Sequence, residues 1–374
     1  MHYSVDSLVR LAKRDNNTIR PYLYVNPMQG KHIPTNPEEV LDMCFELAKK
    51  VNVTYPNDRL YVIGFAETAT GIASAISHYL NNVVYYQNTT REYKDGEEYL
   101  YFTESHSHAT DQMLRASNLR RCLSSVDRVL FVDDEVTTGN TICKLINRIK
   151  EYCIVPNLKF SIVSVLNSVP KERLLQMEDD GIDCLFLSEL PFEYKKDSII
   201  NIEYDECRDI IINTESTCEI DEIVFSNTNN VREVTRFSEY DDAIQSFSNA
   251  IDQVLANSHF KDVLIIGTEE FMYPTFVVGQ NLIKHNITDS VKVHSTTRSP
   301  IIASGQNEYP LTTRYQIKSF YDELRTTYIY NLKKYDKVII VTDAIHYEKG
   351  VSDLNYALES VGNHNILLAR WIYE

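Results

Sequence analysis

The run VLFVDDEVTTGNT, residues 129–141, constrains this chain more than any other stretch. Four apolar residues lead into two acids, Asp133 and Asp134, and then into a hydroxyl-rich turn containing Gly139. Ile142, Leu145, Ile146 and Ile149 follow at helical spacing. This order predicts a buried strand, a tight turn and an amphipathic helix beginning near Thr141. Short apolar strands that alternate with helices build parallel sheets, which bind ligands outside the carboxyl ends of their strands. The two acids are expected at that edge.

The same alternation recurs along the chain. Residues 60–65 read as a strand followed by Ile72, Ala75, Ile76 and Tyr79 on one helix face, and 83–86, 160–166 and 184–187 read as further strands. The expected fold class is α/β, a Rossmann-like and mostly parallel sheet followed by a second, degenerate α/β domain of similar layout. Between them, residues 192–230 are rich in Asp and Glu but contain strand-like runs at 198–202 and 209–212. They are read as a connecting hairpin or extension, whose charge needs only a solvated face. The second half repeats landmarks of the first: VLIIG at 263–267 resembles LYVIG at 60–64, TTR at 296–298 repeats TTR at 89–91, and VIIVTD at 338–343 resembles VLFVDD at 129–134. The separations agree, with Gly64 to Arg91 spanning 27 positions and Gly267 to Arg298 spanning 31, which points to an internal duplication, the alternative being two α/β domains that share landmarks by chance. The expected domains are 1–191 with an N-terminal hood, the connector 192–230, and 231–374.

Composition narrows the functional classes. At 374 residues, 43% hydrophobic and 24% charged, the chain is long enough for two ordinary globular cores. It has no apolar run of membrane-spanning length, and its first residues lack the apolar core of a secretory signal, so a cytoplasmic protein without membrane contact is expected. The seven cysteines form no CxxC pair, which fits reduced thiols. A net charge of −16 opposes nucleic-acid binding over a broad surface, so any phosphate must be gripped locally.

Such a grip is legible in 129–141. Backbone N–H groups at a helix start suit a phosphate, with hydroxyls from Thr137, Thr138 and Thr141 and close approach at Gly139 and Asn140. Asp133 and Asp134 suit a vicinal diol, or a hydrated Mg²⁺ that meets one. A diol site beside a phosphate cradle describes ribose 5-phosphate. A strand whose acids merely cap the next helix would need neither the hydroxyls nor the glycine.

Other segments carry weaker signals. Ala66, Glu67, Thr68, Ala69, Thr70 and Gly71 form a strand-to-helix loop whose amides can face an anion, or a simple turn. Glu67 fits beside pyrophosphate only with a metal between them. Arg91, Lys94, His106 and His108 lie on a polar stretch that either closes over a substrate or is simply solvated; the two histidines lack nearby partners for zinc. Asn26, Lys31 and His32, near Pro27 and Pro34, suit the edge of a heterocyclic acceptor or an ordinary surface loop. In the second half Thr342-Asp343 replaces the acid pair and IHYEK at 345–349 replaces the cradle, so that half should not bind the same ligand. Thr296, Thr297, Arg298 and Ser299 could hold a phosphate or carboxylate, complete the first site from another domain, or serve structure alone.

The 129–141 run resembles the PRPP motif VDDxxTTGxT of type I phosphoribosyltransferases. RPYLYVNPMQGKH at 20–32, GFAETATG at 64–71, TTR at 89–91, ESHSHATD at 104–111 and TTRSP at 296–300 look like the bacterial phosphoribosyltransferases with a C-terminal TRSP domain, associated with tellurium-resistance gene clusters. The resemblance covers most of the chain outside the acidic connector. It implies Mg²⁺-dependent transfer of ribose 5-phosphate from PRPP to a base-like nitrogen acceptor, with release of pyrophosphate. In that reading Asp133, Asp134 and Arg91 are catalytic, Thr137 to Thr141 hold the 5-phosphate, and the 64–71 loop holds pyrophosphate. Asp133 and Asp134 meet Mg²⁺ through water or the PRPP diol, and residues 20–32 form the hood. The product would be a nucleotide-like metabolite of a stress response, and a homodimer is compatible with the reading. The rivals are a PRPP-sensing regulator and a hydrolase or phosphorylase of a ribosyl phosphate bond.

Overall fold

The computed structural model describes residues 3–15, 17, 20–102, 112–191, 196–199, 201–214, 216, 220–345 and 347–373. They form two compact units interleaved along the chain. The first is built chiefly from Leu41–Tyr194 with Asn229–Ala243, and the second from Ser4–Val40, Lys195–Thr228 and Ile244–Glu374. The linear division at 191 and 231 expected from sequence therefore differs from the packing.

In the first unit five parallel strands lie in the order Val83–Asn88, Leu60–Gly64, Arg128–Val136, Lys159–Asn167, Ile182–Glu189. Thr235–Arg236 adds an antiparallel edge to Val83–Asn88. Read by position in the chain, the parallel strands run 2-1-3-4-5, so the direction of winding reverses between Leu60–Gly64 and Arg128–Val136. That reversal is where open α/β sheets leave a crevice at their carboxyl edge. Helices Thr70–Tyr79, Asn140–Tyr152 and Lys171–Asp179 follow three of the strands. Ile142, Leu145, Ile146 and Ile149 are buried together with Val129, Phe131, Tyr61 and Ile63, as their spacing predicts. Thr70–Tyr79 is buried well beyond one face, from Thr70 through Ser77. Phe237 and Tyr240 sit against Tyr86, whose hydroxyl reaches the Thr70 carbonyl, and Asp241 bonds His78, so this helix is covered from a second side.

In the second unit the parallel strands lie in the order Val291–Ser295, Val263–Gly267, Lys337–Thr342, Ile366–Tyr373, Asp221–Asn227. The first four occupy the places of Val83–Asn88, Leu60–Gly64, Arg128–Val136 and Lys159–Asn167, so the repeated landmarks are repeated in space. The fifth place is filled by a strand that comes earlier in the chain. Leu264, Ile266, Val338, Ile340 and Leu368 form its core with Leu354 and Leu358.

One expectation is narrowed here and one is corrected. Of the two forms expected for the acidic connector, its described residues make extended segments rather than a hairpin: Asp209–Ile211 pairs parallel with Arg314–Lys318, and Asp221–Asn227 pairs parallel with Ile366–Tyr373. Each finds a longer partner strand far along the chain, while the strand-like run at 198–202 instead contributes to a 3₁₀ turn, Lys196–Ile199. The N-terminal segment expected as a hood on the first domain belongs to the second unit. Thr35 and Val293 exchange backbone hydrogen bonds of 3.0 and 2.8 Å, which pairs this segment with the otherwise open edge of Val291–Ser295.

Gly64 shows how tightly the first switch point is packed. A Cβ there would lie 2.6 Å from Ala73 Cβ, 2.7 Å from Asn88 Oδ1 and 2.9 Å from the Tyr86 hydroxyl. Gly64→Ala is therefore expected to destabilise the protein by about 1–3 kcal/mol. The check is a lowered urea midpoint with an unchanged m-value.

Candidate active site

The acid pair lies inside a strand rather than in the loop after it. Arg128–Val136 stays hydrogen-bonded to Lys159–Asn167 through Val136, so Asp133 and Asp134 are held by the sheet ladder on the carboxyl side of the switch point. Both are half-buried. The two carboxyls lie close enough to share a side-chain hydrogen bond. The Asp134 amide donates to Asp133 Oδ1 at 3.0 Å. Desolvation first, and then the neighbouring Asp134 charge, push the Asp133 carboxyl well above the usual range.

The turn that follows enters the next helix through a glycine. Gly139 caps the helix Asn140–Tyr152 with φ +68°, a conformation that glycine alone adopts freely. Thr138, Asn140 and Thr141 are exposed and Thr137 is half-buried, so donors are presented outward around a helix N-terminus. Arg173, which the sequence reading missed, brings NH2 to 3.5 Å from Asn140 Oδ1. It comes from the next helix, 33 positions away, and nothing local in the sequence announces that approach.

The 64–71 loop stands across the switch point. Its Ala66–Glu67 peptide is cis. The Ala66 amide donates to Thr89 Oγ1 at 2.8 Å and the Thr89 amide returns to the Gly64 carbonyl at 2.8 Å. Ala69 N–H is taken by the Phe65 carbonyl at 3.1 Å, and the Thr70 hydroxyl donates to the Glu67 carbonyl at 3.2 Å. Two amides expected to face an anion are thus used within the loop and its clasp. Glu67, Ala69, Thr70 and Gly71 are buried. Thr68 Oγ1 donates to Asp134 Oδ1 at 2.6 Å, which joins this loop directly to the acid pair.

The polar stretch after Thr90 is framed by a two-stranded antiparallel sheet, Tyr99–Tyr101 with Met113–Arg115, anchored where Thr90 bridges Met113. Arg91 is half-buried beside this anchor. Lys94 is exposed, 3.9 Å from Glu97, a surface pair of little energetic weight. His106 and His108 lie outside the described residues.

The N-terminal candidates are sited differently from expectation. Asn26, Lys31 and His32 are buried in the second unit. Asn26 Oδ1 accepts from the Met28 amide at 2.9 Å, a local turn contact. Lys31, with 0% exposure, spends its ammonium on the Glu269 carbonyl and on Ser295 Oγ at 3.2 Å, rather than at a surface. His32 lies beside the Tyr330 ring.

The second unit repeats the scaffold and fills it differently. The Thr296 amide meets the Gly267 carbonyl at 3.0 Å and Thr296 Oγ1 accepts from the Glu269 amide at 3.0 Å, the same clasp that Thr89 makes. Thr297 bridges Tyr328 as Thr90 bridges Met113. Where the first unit has its acids, Thr342 bonds Thr268 at 2.8 Å, and Asp343 accepts from Tyr321 and, at 2.6 Å, from Tyr373. Arg298 pairs with Glu269 and lies 3.7 Å from Glu270, while Arg325 reaches Glu269 at 3.2 Å and Ser319 donates to it. Arg298 therefore spends its guanidinium on buried carboxylates instead of offering it to an anion. Thr297 Oγ1 accepts from the Ser299 amide at 3.2 Å.

An acid pair and a glycine-capped helix start thus stand together at the switch point of a parallel sheet. A family model described as phosphoribosyl transferase matches residues 8–184, and one described as the TRSP domain C-terminal to it matches residues 233–358. The chain thus carries a phosphoribosyl transferase domain followed by a TRSP domain, the makeup of a phosphoribosyltransferase enzyme. A search of curated proteins finds no significant match. Among solved structures, APRTase from Giardia lamblia complexed with 9-deazaadenine is 12% identical, spans 50% of this chain and 98% of its own, and has a TM-score of 0.36. Adenine phosphoribosyltransferase from Thermoanaerobacter pseudethanolicus is 16% identical over 50% of this chain and 98% of its own, with a TM-score of 0.35. The Trypanosoma brucei enzyme in complex with AMP, pyrophosphate and ribose-5-phosphate is 14% identical over 49% and 76%, with a TM-score of 0.33.

The raised Asp133 carboxyl has a consequence for stability. A group protonated more readily when folded than unfolded stabilises the fold at low pH, and that contribution is lost as pH rises through its folded value. Asp133→Asn keeps the acceptor for the Asp134 amide and removes the charge. It is expected to raise the stability of the ligand-free protein at pH 8 by on the order of 1 kcal/mol, with the gain vanishing below about pH 4. Thermal melting of both proteins across pH checks this; an equal gain at every pH would contradict it.

Proposed function

We propose that the chain transfers ribose 5-phosphate from PRPP to a nitrogen acceptor at the switch point of its first sheet. The observation that carries this is the joint placement of Asp133 and Asp134 with the Gly139-capped helix start, an acid edge for a diol directly beside a cradle for a phosphate. Asp133 and Asp134 meet the ribose hydroxyls, and the turn from Thr137 through Gly139 and Asn140 to Thr141 holds the 5-phosphate. The loop Ala66 to Gly71 faces the pyrophosphate, and Arg91 adds positive charge toward it. Thr296 to Ser299 serve the second unit's own scaffold.

In the reaction the acceptor nitrogen forms a bond to the anomeric carbon as the bond from that carbon to pyrophosphate breaks. Pyrophosphate departs with the electron pair, and the acceptor's proton passes to it or to solvent. The ribose carries positive charge in between, so the protein's contribution is positioning and electrostatic stabilisation, without a side-chain nucleophile.

Mg²⁺ fits the donor set in a limited way. Among the described residues no three His, Cys, Asp or Glu side chains gather around a cation. Mg²⁺ is commonly held by one or two carboxylates with water and substrate oxygens, which Asp133 and Asp134 with PRPP can supply. Bound there, it would offset the negative charge of pyrophosphate. A base-like acceptor and a nucleotide-like product tied to tellurium-linked stress metabolism are part of the same reading, supported by the sequence resemblance.

Replacing both Asp133 and Asp134 by Asn should abolish PRPP binding in calorimetry with Mg²⁺ while the circular dichroism stays unchanged. Asp343→Asn, in the second unit, should leave PRPP affinity within about twofold; equal losses would refute the assignment. Pyrophosphate release that depends on an added nitrogenous base would identify transfer, and release without any acceptor would identify hydrolysis instead.

A further inference from the structure

We propose that Thr68 is a positioning residue for the ribose acid Asp134 rather than a contact of the pyrophosphate. This rests on the PRPP reading above and assigns a new role within that site. Thr68 lies on the loop where pyrophosphate is expected, yet its hydroxyl donates to Asp134 Oδ1 at 2.6 Å, the length of a charge-assisted O–H···O⁻ bond. A hydroxyl has one proton to give. Given to Asp134, it fixes that carboxylate's rotamer and so the direction in which it is presented to the diol.

The mount is rigid. Thr89 Oγ1 clasps the Ala66 amide, the Phe65 carbonyl takes the Ala69 amide, and the Glu67 carbonyl takes the Thr70 hydroxyl, so Thr68 sits between two pinned segments. The second unit supplies an internal control. It keeps the clasp, with Thr296 in the place of Thr89, but four positions after its glycine it has Phe271 where the first unit has Thr68. Its acid pair is reduced to Thr342-Asp343, and Asp343 accepts from Tyr321 and Tyr373 instead. The clasp is thus common scaffold, whereas the hydroxyl link occurs in the unit that has the acid pair and the threonine cradle.

The two roles separate by ligand. Calorimetry in Mg²⁺ buffer on the full chain, wild type, Thr68→Val and Thr68→Ser, would use PRPP, ribose 5-phosphate and inorganic pyrophosphate as probes. A positioning role predicts that Thr68→Val weakens PRPP and ribose 5-phosphate about tenfold or more, leaves pyrophosphate within about twofold, and that Thr68→Ser restores PRPP. A parallel loss of pyrophosphate affinity would overturn it in favour of direct contact. Unchanged affinity for all three would overturn it as well. Failure of the wild type to bind PRPP would instead sink the reading of the whole site. If Thr68→Val does not fold, Thr68→Ala is read against the same probes.

Discussion

Two carboxylates on adjacent residues of one strand, partly withdrawn from water, repel each other and lose hydration together. The fold accepts this at Asp133 and Asp134 because Asp133 and Glu135, on either side of Asp134, pair with Ser164 and Leu166 in the ladder, and because Thr68 and the Asp134 amide each satisfy one carboxylate oxygen. The rest of the site follows from that constraint. An edge that holds acids at a cost to stability is one prepared for a ligand that removes the cost, and a hydrated cation or a ribose diol does so. In the proposed reading, the glycine-capped turn beside it would handle the opposite problem, the negative phosphate, with backbone dipoles and hydroxyls. In that reading, placing the two within one strand-to-helix junction would let an acidic protein of net charge −16 bind an anionic sugar without a basic surface.

The second unit shows what the same scaffold becomes without that task. Its central strands, its glycine and its threonine clasp are retained. Its carboxyl edge is neutralised from within, by Arg298 and Arg325 against Glu269 and by tyrosine hydroxyls against Asp343. Buried ion pairs of this kind add little net stability over apolar packing, yet removing one partner is expensive, which makes such an edge hard to reopen for a ligand.

Much of this was legible in the sequence because the signals were local. Val129 through Thr141 encode a strand, a turn and a helix in consecutive residues, and the repeats at Gly267, Thr296 and Asp343 preserve spacing that survives in the fold. What the sequence hid was long-range. Thr35 bonds Val293, Asp221–Asn227 pairs with Ile366–Tyr373, and Asn229–Ala243 returns to the first unit, all through partners that no local pattern identifies. Lys31 and Arg298 read as available cations because charge is visible in a sequence while a buried partner is not. Thr89 stood in a recognised motif, but its hydroxyl's part in holding the 64–71 loop required geometry.

A crystal structure of the protein with PRPP and Mg²⁺ tests the central claim most directly. The account predicts ribose hydroxyls within hydrogen-bond distance of the Asp133 and Asp134 carboxylates, with the 5-phosphate against the amides of residues 137–141. PRPP bound at the Asp343 edge of the second unit, or with its phosphate at the acids and its ribose elsewhere, would contradict it.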